Sequence, residues 1–379
     1  MTKAAYVGVN GVARKIKKGY VGVDGVARKI KKAYVGIGGV ARPFWAGGEL
    51  VYYGTATALS VARQHLAATS VGNYALFGGG YGQSNINATY QYTTVDAYSA
   101  TLTRSTPSAL STKAWGLAAT SVGNYALFGG GDKNDSSYVS SVNAYDTALT
   151  KSNKSFPQGS GYLAAASVGD YAVFAGGRNG DGYLNKAYAF NTSLTRSTAT
   201  SLSGETAYLA AVSFGDYALF GGGKYTSSPF TTVYAYDVSL TQTKPTGLSV
   251  GRQLLAATVT KNHALFAGGA TAANTSTASA VVDAYDKSLT RTTVTALSAA
   301  KNQLAGASIG GYGVFAGGGM SSTYFSQTDA YDESLTRIVP TALSVARTRL
   351  AATSVGNYTL VGGGGDGSPS AVVDVYTVA

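Results

Sequence analysis

The sequence predicts an all-β chain: a seven-bladed propeller over residues 50–379, closed by a strand at its own beginning, with β-hairpin repeats at residues 1–49 before it. Three observations predict this. The leader repeats every 14 residues, the body repeats about every 46, and the last body copy stops one strand short.

In the leader the units are AYVGVNGVARKIKK from Ala5, GYVGVDGVARKIKK from Gly19 and AYVGIGGVARPFW from Ala33. Asn10-Gly11, Asp24-Gly25 and Gly38-Gly39 mark their centres, and such dipeptides tolerate the positive φ of a two-residue hairpin turn. In that register Val9 faces Val12, Val7 faces Arg14 and Ala5 faces Ile16. The frequent glycines argue against a helix through Ala13–Lys18. An isolated hairpin is marginal in water, so the three units are expected to stack on one another or on a partner.

The body is marked by Gly-Asn-Tyr-Ala-Leu-Phe-Gly-Gly-Gly and its variants, whose aromatic stands at Tyr74, Tyr125, Tyr171, Tyr217, His263, Tyr312 and Tyr358. Each copy reads as four strands. A small-residue strand such as Leu66–Val71 comes first, and a Gly72-Asn73 type turn leads into Tyr74-Ala75-Leu76-Phe77. Val95-Asp96-Ala97-Tyr98 is the third, and a fourth begins near Leu102-Thr103-Arg104. Radial repetition of such units makes a propeller, and small residues suit the strands that crowd its axis. The final copy stops at Val373-Asp374-Val375-Tyr376, while Val51–Ala58 aligns with the fourth strand at Leu335–Ala342. The early segment is therefore expected to complete the last blade and remove an open sheet edge.

The Arg63…Leu66 approach, the glycine pair after the second strand and the Asp-Ala-Tyr of the third resemble the kelch family of β-propellers over residues 50–379. The chain departs from that pattern where a tryptophan usually follows the tyrosine: Leu102, Leu149, Leu194, Leu240, Leu289 and Leu335 occupy the region instead. The 14-residue basic hairpins resemble segments of structural proteins of bacteriophages and prophages, and this likeness implies a place on a virion.

Composition narrows the chemistry. There are no cysteines, two histidines and only 12% charged residues, against 45% hydrophobic ones. Thiolate chemistry, disulfides and multi-histidine metal centres are thereby excluded, and no cofactor or metal is expected. The zero cysteine count also excludes the crosslinked-tyrosine copper oxidases that resemble kelch propellers, and no sialidase-type Asp-box is present. His65 and His263 sit at different points of their blades and read as core or rim residues. Asp96, Asp283, Asp329 and Asp374 share one strand position and read as structural hydrogen-bond acceptors. The glycine runs lack the lysine-serine/threonine pair of a phosphate loop. Catalysis is not expected. No run approaches a membrane span, and no signal-peptide core opens the chain.

Net charge is +11, and residues 1–54 hold ten of the 29 cations with two of the 18 anions. Arg14, Lys15, Lys17, Lys18, Arg28, Lys29, Lys31 and Lys32 are the expected anchoring residues, facing another virion protein in preference to nucleic acid. Self-association is also compatible with them.

The seven copies agree at the first-to-second and third-to-fourth turns and diverge between the second and third strands and at the blade crossings. Gly80 precedes Asp96 by a long loop, Gly364 precedes Asp374 by a short one. Divergent loops on a rigid scaffold are where binding residues concentrate. The candidate ligand-binding residues of this face are His65, Trp115, Tyr162, Tyr208, Arg349, Tyr81 and Tyr324. Their aromatic and hydroxyl groups suit carbohydrate. The leader enters at Val51, on the uniform side. The functional expectation is thus a non-enzymatic phage tail or baseplate protein, anchored on one side and presenting the other to host-surface glycan. A structural capsid decoration protein and a bacterial protein-binding scaffold are the alternatives. A virion protein of this kind is made in the host cytoplasm.

Overall fold

A computed structural model describes residues 6–9, 12–15, 19–23, 26–30, 33–37, 40–45, 48–85, 88–133 and 137–378. Among the described residues every regular element is a strand, and no helix is long and apolar enough to cross a membrane.

Seven antiparallel sheets follow one another around an axis. Blade 1 pairs Ala67–Val71, Tyr74–Gly78, Val95–Ser99 and Arg104–Ser105 in that order, and blades 2 to 6 repeat the pattern. Blade 7 is built from Ala351–Val355, Tyr358–Gly362 and Val373–Val378, and its fourth strand is Leu50–Thr55. Tyr52 lies opposite Tyr376, and its hydroxyl donates to Asp374 at 2.8 Å. The ring is closed by the beginning of the body, as the alignment of Val51–Ala58 predicts.

Burial alternates along the first strands of five blades, as in Ala67–Val71, while second and third strands are buried almost throughout because both sides meet a neighbouring blade. The apolar residues form seven clusters, each shared by two adjacent blades. The one joining the chain's two ends brings Phe77 and Tyr98 of blade 1 against Val355, Leu360 and Val375 of blade 7. Glycine ends the second strand of blade 1 for steric reasons: a Cβ on Gly78 would stand 2.8 Å from the Phe128 ring of the next blade.

The fourth strand of blade 1 starts later than the sequence suggests, at Arg104. Leu102 and its counterparts occupy the preceding turn with φ between 59° and 64°. Their side chains lie against the clusters: Leu194 is buried between blades 2 and 3, and Leu149 packs between blades 1 and 2.

In the leader, Tyr6–Val9 pairs with Val12–Lys15 and Gly19–Val23 with Val26–Ile30, in the register Val9↔Val12, Val7↔Arg14. Ala33–Ile37 pairs with Val40–Trp45, and its register shifts next to the Tyr34↔Pro43 pair, where proline brings no N–H to the ladder. Each hairpin is its own two-stranded sheet, with no ladder joining one to the next among the described residues. The turn dipeptides and the Ala5–Ile16 pair lie outside the described residues.

Candidate functional site

Two residues ahead of the start of each first strand, or within the longer first strand Ala207–Phe214 in blade 4, stands one residue with left-handed backbone: His65, Gly116, Tyr162, Tyr208, Leu254, Gln303 and Arg349, with φ between 52° and 63°. Their main chains form a closed hydrogen-bonded collar. Each N–H donates to the carbonyl of the equivalent residue one blade back, from Gly116 to His65 (3.1 Å), Tyr162 to Gly116 (2.8 Å) and onward, until His65 donates to Arg349 (2.9 Å). A non-glycine residue in this region costs about 1 kcal/mol, and a net hydrogen bond returns roughly as much. The fold therefore sets the conformation and leaves the side chain free to vary. Gly116 alone lacks a side chain, and a Cβ there would stand 3.0 Å from the Tyr162 ring.

Beneath the collar the next residue of every blade is leucine, from Leu66 to Leu350, and collar and leucines together line an axial cavity of about 200 Å³. Its mouth opens on the divergent face.

A second circle surrounds the collar. The residue before each collar position pairs with the one that follows the glycine pair: Gln64 with Tyr81, Trp115 with Asp132, Gly161 with Arg178, Ala207 with Lys224, Gln253 with Ala270, Asn302 with Gly319 and Thr348 with Gly365. Blades 1 to 4 thus present Tyr, Asp, Arg and Lys beside the axis, whereas blades 5 to 7 present Ala, Gly and Gly.

The rings of blades 1 to 4 form one continuous arc. His65 stacks on Tyr81 (5.5 Å, 18°), and Trp115 meets both edge-on at 5.1 Å. Trp115 then contacts Tyr162 at 5.3 Å, and Tyr162 tilts against Tyr208 at 4.6 Å. Cations flank the arc. Arg349 reaches the Tyr81 hydroxyl (3.3 Å) and Gln64 (3.5 Å), and Lys224 Nζ sits 5.3 Å from the Tyr208 ring. Arg178 lies 6.0 Å from the centres of both Tyr138 and Tyr162. The Tyr162 hydroxyl donates to Asp132 at 3.2 Å.

Burial, then the nearby Arg349 charge, pushes the His65 imidazole down to about 3, so it is neutral at ordinary pH and serves as a ring and a hydrogen-bonding group. Burial also raises the Tyr162 and Tyr208 phenols, which remain protonated donors.

The structure therefore joins His65, Trp115, Tyr162, Tyr208, Arg349 and Tyr81 in one cluster. Tyr324 is not part of it: it pairs with Gly319 in the loop of blade 6, at the small-residue side of the ring. Arg178, Lys224, Tyr138, Tyr183 and Tyr225 were missed as site residues. The residue after the glycine pair, compared copy by copy, finds Arg178 and Lys224; Tyr138, Tyr183 and Tyr225 lie further along the divergent loops, where no repeat position marks them.

The recurring aspartates are more than hydrogen-bond acceptors: each is fully buried against a fully buried cation. Arg63 meets Asp96 at 2.8 Å, Lys301 meets Asp329 at 3.2 Å, and Arg252 and Arg347 pair with Asp283 and Asp374. The carboxylates also receive backbone N–H groups of the blade crossing, from Ser60 to Asp96 (3.0 Å) and Ser298 to Asp329 (2.8 Å). Blades 2 to 4 replace both partners together, with Ala114 and Asn143, Ser160 and Tyr188, Thr206 and Tyr234 at the same positions. Among the described residues no group of three histidine, cysteine or acidic side chains could hold a metal ion.

Of the expected anchoring residues, Arg14, Lys15, Arg28 and Lys29 lie on hairpin strands, while Lys17, Lys18, Lys31 and Lys32 fall outside the described residues. At the end of the leader the Gly48 carbonyl lies 3.5 Å from the Tyr312 hydroxyl, directly after the Gly310-Gly311 turn. That turn belongs to the uniform face, opposite the collar.

No protein-family model and no curated protein sequence matches the chain. Among solved structures, one titled "Structure of YjhT" is similar over 75% of this chain and 99% of that chain, with a TM-score of 0.60 and 13% sequence identity. The likeness is one of fold.

Proposed function

We propose that this protein is a non-enzymatic carbohydrate-binding module of a bacteriophage tail or baseplate, attached through its basic leader and binding glycan at the collar face of blades 1 to 4. The observation that carries the reading is the arc His65–Tyr81–Trp115–Tyr162–Tyr208 at the mouth of an axial cavity, edged by Arg349, Arg178 and Lys224. Sugar rings offer apolar C–H faces that pack on aromatic side chains and hydroxyls that pair with Arg, Gln and Tyr. Concave, partly apolar sites with a few convergent polar groups are the usual form of small-ligand sites. The kelch-like repeat supplies such a rigid platform, and the leader's likeness to phage hairpins supplies the assignment to a virion.

A glycan array probed with the full-length protein tests the binding half. Carbohydrate is expected to be retained, and Trp115→Ala and Tyr208→Ala are each expected to weaken it at least tenfold. Retention of no glycan, or equal retention by both variants, overturns it. Mass-spectrometric detection of the protein in purified phage particles tests the attachment half, and its absence from them overturns that.

A further inference from the structure

Arg178 and Lys224 stand at the same register position of adjacent blades, each directly after a glycine pair and bridged to the strand beside the collar. Two cations side by side call for an anion. Among the described residues neither forms an ion pair with a carboxylate. Their neighbours are neutral: Arg178 Nε donates to the Tyr138 hydroxyl at 3.0 Å, and Lys224 Nζ donates to the Ala273 carbonyl at 2.8 Å while lying over Tyr208. The carboxylates nearby are engaged otherwise: Asp132 accepts from the Tyr162 hydroxyl, and Asp181, in Arg178's loop, accepts from Asn179. Burial first, and the neighbouring Arg178 charge second, lower the Lys224 ammonium, so the two charges feel each other. The fully buried cations Arg63, Arg252, Lys301 and Arg347 each meet an aspartate, whereas Arg178 and Lys224, half-buried at the collar face, meet none among the described residues. Tyr183 and Tyr225 pack edge to face at 5.3 Å nearby, with Tyr225 44% exposed.

We propose that Arg178 and Lys224 form an anion subsite, which takes the carboxylate or phosphate of an acidic saccharide whose ring lies on Tyr208 and Tyr162. This deepens the carbohydrate reading above and rests on it. Arg178 supplies a planar fork of donors suited to a two-oxygen anion, and Lys224 a point charge beside it. The site is half-buried, so salt screens it only in part.

The test titrates full-length protein, by ligand-observed NMR, with methyl β-glucuronide, methyl β-glucoside 6-phosphate and uncharged methyl β-glucoside. At least one charged glycoside is expected to bind tenfold or more tightly than the neutral one at 50 mM salt, and the stronger of the two assigns carboxylate or phosphate. Arg178→Gln and Lys224→Gln are each expected to erase that preference, so that charged and neutral glycosides bind equally, and Arg178→Lys to restore part of it. Thermal midpoints identify any variant that misfolds, and the remaining one then carries the test. Equal binding of charged and neutral glycosides overturns the anion subsite and leaves the carbohydrate reading standing. Failure of all three to bind overturns both. Binding of a hexaglutamate peptide as tight as that of the charged glycosides, lost in the same variants, overturns the saccharide in favour of an acidic protein segment.

Discussion

Lys301 and Asp329 illustrate how single residues are chosen in this ring. Both are fully buried, and the ammonium also reaches the Gln327 carbonyl at 3.0 Å. Burial lowers the lysine and the aspartate raises it again, so the pair holds its charge only as a pair. Removing one partner strands the other, and Asp329→Ala is expected to cost about 3–5 kcal/mol in urea unfolding. Blade 4 shows the neutral solution at the same place: Thr206 with Tyr234, whose hydroxyl lies 3.2 Å from Ser203. Installing that pair in blade 6 as Lys301→Thr with Asp329→Tyr is expected to recover most of the loss, with each single change worse than the double. A double as damaged as the sum of the singles would contradict this exchange.

The third-to-fourth turn is the element where backbone and core requirements conflict. Its leucine needs positive φ, for which glycine is the easy choice, yet the side chain fills the space between two blades. At Leu194 the N–H closes the turn onto the Asn191 carbonyl (2.8 Å), while the Asn191 side chain accepts from Ser193 and Thr195. With 6% exposure, the leucine's burial outweighs its strain. Leu194→Ala is expected to lose about 2–4 kcal/mol, and Leu194→Gly about 1 kcal/mol less than that because glycine relieves the φ penalty. Thermal or urea unfolding of the two variants gives the order. Alanine tolerated better than glycine would mean the turn carries no strain.

At the scale of the whole molecule, closure decides stability and sidedness together. Leu50–Thr55 pairs with Val373–Val378, and Leu50 and Tyr52 pack into the cluster between blades 6 and 7. Deleting residues 1–55 leaves blade 7 with three strands and an exposed edge, and is expected to lower the unfolding midpoint by 10 °C or more and to promote aggregation. Deleting residues 1–47, which spares the strand, is expected to leave the midpoint within a few degrees. Calorimetry of both truncations checks this, and equal stability would show that closure is dispensable. The same strand begins beside Tyr312 on the uniform face, so the chain enters the ring on the side opposite the collar.

The sequence by itself determined the blade number, the order of strands in each blade and the closing strand, because these follow from period and pattern: Tyr74 and its six equivalents count the blades, and Val51–Ala58 matches a fourth strand. It also placed His65, Tyr162 and Tyr208 at one point of the repeat, with Trp115 one residue before that point in its own blade, as an alignment of copies can. Tertiary structure alone decided that these residues form a hydrogen-bonded collar, that Arg63 and its counterparts are buried opposite the aspartates, and that Arg178 stands beside Lys224. The physical reason is distance along the chain. Repeat periodicity reports which positions are equivalent, whereas contacts between blades, between a crossing and a third strand, or across the axis join residues some 30 to 280 apart, and only the closed ring brings them within reach.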